Sequence, residues 1–357
     1  MLRPDTEAEL AEIVRGANGP LSLRGGGTRH VAVPGEALST AGLSGIALYE
    51  PGALTIVAGA GTPMEEVEET LAAKGQRLPF EPMDHRALLG TQGVPTIGGA
   101  VSMNVSGPRR VQVGACRDSL IGVRFVDGHG AIVKNGGRVM KNVTGYDLVK
   151  LLAGARGTLG VLTEVAFKVL PAAAAQATLR LRGLEAGDAV AAMAAALGSP
   201  FEVNAAAHGE AGTCLRIEGL AGSVAYRAGR LAEMLAPWGE VDRIGGEESA
   251  AVWRDIRDAR AVAGDGDVWR VHCRPSQAPA IVAAAGARTA LLDWGGGLVW
   301  LRMAAGTDLR AVLPPFDGHA TRVKGAADPA PQAAVVAALE AGIRAKFDPR
   351  GLFGASS

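Results

Sequence analysis

Near the N-terminus, apolar residues recur at helical spacing. Leu10, Ile13, Val14 and Ala17 share one face, Thr6 and Glu9 stand three apart as a capping box, and Asn18-Gly19-Pro20 ends the run. Leu21 to Leu23 then reads as a strand that runs into three successive glycines. Ile46 to Tyr49 and Thr55 to Ala58 read as two further strands around Glu50-Pro51-Gly52-Ala53. A helix is predicted from Pro63 to Lys74, with Thr62 as its cap, Glu65 completing a capping box, Pro63 at the first helical position and Gly75 as its stop. These elements make a small α/β unit.

From Leu120 to Leu170 the period shortens to that of strands. Val123 to Val126 leads through Asp127-Gly128-His129-Gly130 into Ala131 to Lys134, a hairpin signal. Val161, Thr163, Val165, Phe167 and Val169 alternate with Leu162, Glu164, Ala166 and Lys168, as in a strand buried mainly on one side. A second, largely antiparallel sheet is therefore expected, ending at Pro171 and the four alanines that follow it. Beyond that boundary, Gly187 to Leu197 and Gly222 to Leu235 are alanine-rich helices, while Thr213 to Ile217, Val268 to Cys273 and Leu298 to Met303 suit strands. A last helix is expected over Pro331 to Phe347. The fold class is α+β, with boundaries at 1–171, 172–330 and 331–357.

Composition narrows the chemistry. With 36 basic and 36 acidic residues in 357, no global field draws the chain to nucleic acid. Cys116, Cys214 and Cys273 are far apart, which excludes an iron–sulfur cluster or zinc ribbon held by this chain alone and argues for a reducing compartment. The six histidines lack ligand spacing, so no metal site is expected. No apolar run approaches the roughly 20 residues that span a bilayer, and the start of the chain lacks a secretory pattern. A soluble, cytoplasmic protein is expected, or one docked through partners at the inner face of a membrane.

The most informative string is Arg24-Gly25-Gly26-Gly27-Thr28-Arg29, echoed by Thr96-Ile97-Gly98-Gly99 and by Gly157-Thr158-Leu159-Gly160-Val161. Glycines without Cβ atoms, free to take positive φ, let successive amides converge on an anion. Taken alone, the triplet reads equally as a surface turn or a phosphate loop. A P-loop is excluded because no Gly-Lys pair occurs. The nearest nicotinamide-type fingerprint, Gly59 to Met64, ends in a bulky Met where close helix–strand packing wants Gly or Ala.

With Asn104-Val105-Ser106-Gly107-Pro108-Arg109 added in the same order, the chain resembles the flavin-binding domain shared by vanillyl-alcohol-oxidase-type and other FAD-linked oxidases, the PCMH-type domain, over nearly all of residues 1–171. Arg110, Val139 to Leu148, Trp294-Gly295-Gly296, Gly318-His319-Ala320-Thr321 and Phe347 to Phe353 extend the resemblance to the family of FAD-binding E subunits of bacterial glycolate oxidase. The implied architecture is a PCMH-type domain, made of a small α/β part and an antiparallel part, followed by an α+β cap domain and a C-terminal helix that returns to the FAD domain.

The resemblance also implies roles. Arg24 to Thr28 would wrap the pyrophosphate through backbone amides, with Arg24 or Arg29 adding charge-assisted bonds. Thr96 to Gly99 would open a short helix towards the same phosphates. Asn104, Ser106 and Gly107 would run beside the ring or ribityl chain, and Gly157, Thr158, Leu159, Gly160 and Val161 beside the adenine half or the ring edge. In families of this fold that bind FAD covalently, a histidine often stands where Thr28 stands, so non-covalent FAD is implied. His30, two positions on, is the alternative attachment point or an exposed loop histidine.

The implied activity is oxidation of glycolate, a 2-hydroxy acid, to glyoxylate. A paralogous FAD-linked subunit and an iron–sulfur subunit are the implied partners. The histidine-rich His-x-Gly-Asp-Gly-Asn segment of such a catalytic partner is missing here, and Gly264-Asp265-Gly266-Asp267 reads as a polar turn. Arg109, Arg110, Lys141 and Tyr146 are open between substrate-site, phosphate-facing and subunit-contact roles. None is assigned as catalytic. Trp253, Trp269, Trp294 and Trp300 read as core packing or as a partner interface. Two other functions are left open: a stand-alone FAD enzyme for 2-hydroxy acids or alcohols, and a non-enzymatic assembly subunit.

Overall fold

The computed structural model describes residues 1–29, 34–137, 145–326 and 331–354. His30, Lys141 and the Val139–Thr144 stretch lie outside the described residues.

The first helix, α1 (Glu7–Gly16), forms with the expected capping box: the Glu9 amide donates to Thr6 Oγ1, and the Glu9 carboxylate accepts from the Thr6 amide. Its apolar face, Leu10, Ala11 and Val14, packs on the parallel pair β1 (Leu21–Arg24) and β2 (Glu36–Ser39). Strands β3 (Ile46–Glu50) and β4 (Thr55–Gly59) precede α2 (Met64–Ala72), which starts one residue later than expected. Thr62 does not cap it. Its hydroxyl donates instead to the Gly59 carbonyl at 2.7 Å and accepts from the Gly45 amide at 2.9 Å, so it ties two loops together. Next come β5 (Gln76–Arg77) and four short helices: α3 (Arg86–Leu89), α4 (Ile97–Ser102), α5 (Arg110–Val113) and α6 (Cys116–Ser119). The hairpin β6 (Leu120–Val126) and β7 (Ile132–Gly136), α7 (Leu148–Leu152), β8 (Val161–Lys168) and β9 (Leu170–Pro171) complete this half.

The strands sort differently from the sequence expectation. β3 and β4 join the hairpin and β8 in one antiparallel sheet of order β3-β4-β8-β6-β7. Central β8 is buried on both faces, Leu162 and Ala166 included, because neighbours cover it on each side.

Past the alanine run, β10 (Ala175–Leu181) opens an eight-stranded antiparallel sheet. In order come α8 (Ala186–Leu197), β11 (Ala205–Gly209), β12 (Gly212–Gly219), α9 (Ala221–Leu235), β13 (Val241–Gly245), α10 (Gly246–Arg257), β14 (Asp267–His272), α11 (Ala278–Ala285), β15 (Thr289–Asp293), β16 (Leu298–Met303), α12 (Leu309–Val312) and β17 (His319–Lys324). The sheet order β13-β10-β12-β11-β15-β16-β14-β17 is two βαββαβ units laid edge to edge. They meet at β11 and β15, where His208 opposes Leu292. One face of the sheet packs under α8, α9 and α11; residues of the other, Val268, Leu291, Leu298 and Trp300, join the core of the first half.

A buried polar network fixes that junction. Arg77 donates to both Glu218 oxygens at 2.8 and 3.0 Å, Arg109 pairs with Glu218, and Arg216 donates to Glu81 at 2.9 Å. Asn204 bridges Arg216 and Glu218. Trp294 Nε1 donates to the Gly107 carbonyl at 3.0 Å, and the Asp84 amide donates to Asp258 at 2.9 Å.

The last helix, α13 (Ala334–Phe347), has no buried residue. The tail after it returns to the first half: Leu352 and Phe353 pack beside Leu10 and Leu21, and their amides donate to the Asp348 carboxylate at 2.9 and 2.7 Å.

Candidate functional site

A cavity of about 750 Å³ opens among the loops of the first half, with Arg257 and the tail residues Phe353 and Gly354 also lining it, a volume suited to a cofactor. Strand β1 delivers the glycine loop to its wall. The loop turns its carbonyls inward: the Val94 amide donates to Gly26 O at 2.9 Å, and Thr91 Oγ1 donates to Thr28 O at 2.9 Å. With the carbonyls engaged on that side, the amides of Gly25, Gly26, Gly27 and Thr28 donate to no acceptor among the described residues. Four neighbouring amides without an acceptor among the described residues, on a cavity wall, are the donor type that an anion takes.

The glycines are required for a different reason from the one the sequence suggests. A Cβ on Gly26 would lie 1.4 Å from the Val94 carbonyl oxygen, and one on Gly25 would lie 2.7 Å from Thr96 Oγ1. So the first two glycines make room for the protein's own neighbouring segment. Gly27, at φ 71°, needs glycine for its left-handed backbone.

Of the residues singled out from the sequence, Arg24, Gly25, Gly26, Gly27, Thr28, Arg29, Thr96, Gly98, Gly99, Gly157, Gly160 and Val161 line the cavity. Six do not. Ile97 and Leu159 are core residues, and Thr158 donates to the Ala155 carbonyl at 2.7 Å. Asn104 Oδ1 accepts from the Arg117 amide and Ser106 Oγ from the Cys116 amide, both at 3.0 Å. Gly107 sits in the junction, its carbonyl bonded to Trp294.

Helix α4 also departs from its expected part. Its first amides are consumed inside the protein: Ile97 N by the Thr62 carbonyl, Gly98 N by the Ala60 carbonyl and Gly99 N by Thr96 Oγ1. A six-residue helix whose leading donors are bonded offers little to a phosphate.

Arg29 is the charged member of the wall. One guanidinium nitrogen donates to the Gly99 carbonyl at 3.0 Å and another lies 3.4 Å from His85 Nδ1, while Nε is buried with no partner among the described residues. Desolvation lowers its pKa to about 10. Desolvation, then the charges of Arg29 and Arg270, push His85 down to about 3, so its ring is neutral near pH 7.

The remaining candidates separate. Arg109 belongs to the junction network, and Tyr146 is exposed. Arg110 stacks over Trp294 at 4.5 Å. Trp253, Trp269, Trp294 and Trp300 are buried within the chain itself, which is the core-packing role. Glu81, Arg216 and Glu218 went unmarked in the sequence; single charged residues within strands and loops carry no local signal of a junction. Among the described residues no group of three His, Cys, Asp or Glu could hold a metal ion, and no helix is long and apolar enough to cross a membrane.

The donor set fits the diphosphate of a dinucleotide: neutral amides, an arginine with an unused nitrogen, and no wall residue at Thr28 able to form a ring-nitrogen bond to the cofactor. Comparison with known proteins agrees. A family model described as FAD binding domain matches residues 1–136. Glycolate oxidase subunit GlcE of Escherichia coli (strain K12) is 34% identical over 342 residues, covering 94% of this chain and 91% of that protein. D-lactate dehydrogenase of Archaeoglobus fulgidus is 30% identical over 48% of this chain and 38% of its own length, and glycolate oxidase subunit GlcD of Bacillus subtilis (strain 168) 32% over 37% and 25%. A solved structure of alkyldihydroxyacetonephosphate synthase superposes with a TM-score of 0.72 at 13% identity, over 99% of this chain and 76% of that one, a likeness of fold. Through a relative that similar along nearly its whole length, the chain belongs to the family of glycolate oxidase subunit GlcE, among the FAD-dependent oxidoreductases.

Proposed function

We propose that this chain is the FAD-binding subunit of a multi-subunit glycolate oxidase, in which it supports oxidation of glycolate to glyoxylate and passes electrons to an iron–sulfur partner. The observation that carries the reading is the row of unpaired amides at Gly25 to Thr28 beside Arg29, on the wall of a cofactor-sized cavity in a chain of this family. Bound FAD supplies the two-electron acceptor. The amides bind its diphosphate, and Arg29 adds charge on the same wall. Gly157, Gly160 and Val161 close another wall. Thr28 leaves the cofactor non-covalent. Residues 1–171, 172–330 and 331–357 act as FAD domain, cap and returning tail. The partners are a paralogous FAD-linked subunit and the iron–sulfur subunit, and the assembly works in the cytoplasm or at the inner face of the membrane through those partners.

The test is to purify the full chain with its genomic neighbours co-expressed and untagged, then assay flavin and iron. A yellow complex that contains iron and is bleached by glycolate under anaerobic conditions supports the proposal. A chain that stays colourless after incubation with FAD overturns it. A yellow chain that needs no partner for glycolate oxidation overturns the subunit part.

A further inference from the structure

The sheet face that packs on the first half carries a second set of polar groups that the flavin reading does not use. Alternation along β14 sends Arg270 and His272 to the side of the first half, with Trp300 opposite Arg270 on β16 and His319 opposite His272 on β17. His319 stacks on His272 at 4.8 Å, and His272 lies 5.4 Å from Trp294. The Arg110 guanidinium sits 4.5 Å over the Trp294 ring; that of Arg270 is 5.7 Å from Trp294 and 5.6 Å from Trp300. Two guanidinium groups and one imidazole thus lie around Trp294, with a second imidazole stacked on the first.

None of these four side chains makes a hydrogen bond or ion pair with a described residue, and Arg270 Nε is buried with no partner among them. Desolvation first, then repulsion from Arg110 and Arg29, lowers Arg270 to about 10. His272 is held to about 2 by desolvation and by Arg270, His319 and Arg110, so it stands neutral. The carboxylate that acts on Arg270 is Asp293, which is buried, bonded to the Trp294 amide, and itself pushed up to about 7 by desolvation. Arg110, which feels the charge of Asp118, and Arg270 are thus two cations with no ion-pair partner among the described residues. Aromatic rings lie within cation–π reach of both guanidinium groups, whose N–H donors have no acceptor among the described residues. Burying such charge is costly unless a partner completes it.

We infer that Arg110, Arg270, His272 and His319 form a binding site for a small carboxylate on the sheet face that packs on the first half. The choice of ligand rests on the proposed 2-hydroxy-acid chemistry; the need for an anion rests on the cluster alone. Trp294 bonds to Gly107, Gly107 packs against the cavity-lining Arg257, and Arg270 feels the charges of the cavity-lining Arg29 and Arg156, so the site lies near the cofactor cleft. The site gives this chain its own hold on the carboxylate, in addition to any site on a paralogous subunit.

Oxalate, which cannot be oxidised as a 2-hydroxy acid, is the probe. The flavin-loaded full chain is titrated at constant ionic strength by calorimetry and by tryptophan fluorescence, which Trp294 and Trp300 report. Saturable binding is expected, weakened at least tenfold in Arg270→Gln and in Arg110→Gln, with the flavin absorbance per chain unchanged and partial rescue by Arg270→Lys. If Arg270→Gln fails to fold, Arg110→Gln carries the same expectation. A yellow wild-type chain that does not bind oxalate overturns the inference and leaves the flavin reading standing. If Arg270→Gln loses its flavin and oxalate binds only to flavin-stripped protein, the cluster serves the cofactor's diphosphate and the inference is wrong. A colourless chain that still binds oxalate through Arg270 supports the inference while the flavin reading fails.

Discussion

The cavity wall at the glycine loop and the arginine cluster on the sheet face, here the two walls, work by opposite means. The N-terminal wall is mostly backbone: four amides without acceptors, set by glycines that let Val94 and Thr96 pack within a Cβ's distance. The cluster on the sheet face is all side chain, with arginines over tryptophan rings and His272 kept neutral by desolvation and by neighbouring cations. Amides present fixed partial charges that stay put with pH and need no carboxylate near them. Guanidinium groups bring full charge and pay for it in desolvation. The difference suits the first wall to a resident group of fixed shape and the second to a ligand that comes and goes.

The largest test of this contrast is the junction that holds the walls together. Glu218→Ala leaves Arg77 and Arg109 buried without their carboxylate, and a loss of about 3–5 kcal/mol in unfolding free energy is expected from urea titration. If stability stays within error of wild type, the two halves are not locked by this network.

Gly26→Ala acts on the backbone wall alone. Its Cβ would sit 1.4 Å from the Val94 carbonyl, so the loop must shift, and flavin affinity should fall about a hundredfold, about 2.7 kcal/mol. Flavin titration of the refolded variant measures it. Unchanged affinity would mean that the amides are not what grips the cofactor.

The charged wall and His85 predict an acid-sensitive fold. The pKa values of His85 and His272 lie below 6.5 in the folded chain, at about 3 and about 2, so the unfolded chain binds more protons as pH falls through 6.5. Stability is therefore full above that pH and declines below it, by up to about 1.4 kcal/mol per pH unit for each histidine. Urea midpoints between neutral pH and pH 4 should fall accordingly, and His85→Asn should flatten the slope. A slope that His85→Asn leaves intact would remove that histidine from the account.

The smallest effect belongs to a position remote from both walls. Thr6→Ala removes the α1 cap and should cost about 1 kcal/mol in thermal unfolding with flavin and oxalate binding unchanged. A change in either affinity would show that the cavity is coupled to that helix end.

Much of the first half was legible because its signals are local. The α1 cap, the 127–130 turn and the left-handed Gly27 each specify a conformation within a few residues, and all three occur where the sequence places them. Local reading failed where a distant partner competed. Thr62 was expected to cap α2 but bonds to Gly45 and Gly59, and the α4 amides were expected to face a ligand but meet Thr62 and Ala60. The cap was read as a few strands and helices. Its paired βαββαβ units went unseen, because alanine-rich helices and short strands such as β11 and β15 leave little periodic contrast.

By itself, the sequence determined the first helix and its cap, the 127–130 hairpin and the family, since each depends on residues near one another along the chain or on motifs kept in order. Tertiary structure alone decided which donors remain unpaired and which charges meet. Arg110 and Arg270 are 160 positions apart, and only the docking of the sheet on the first half brings both onto Trp294. Charge interactions depend on distance through space, which a linear order of residues does not contain.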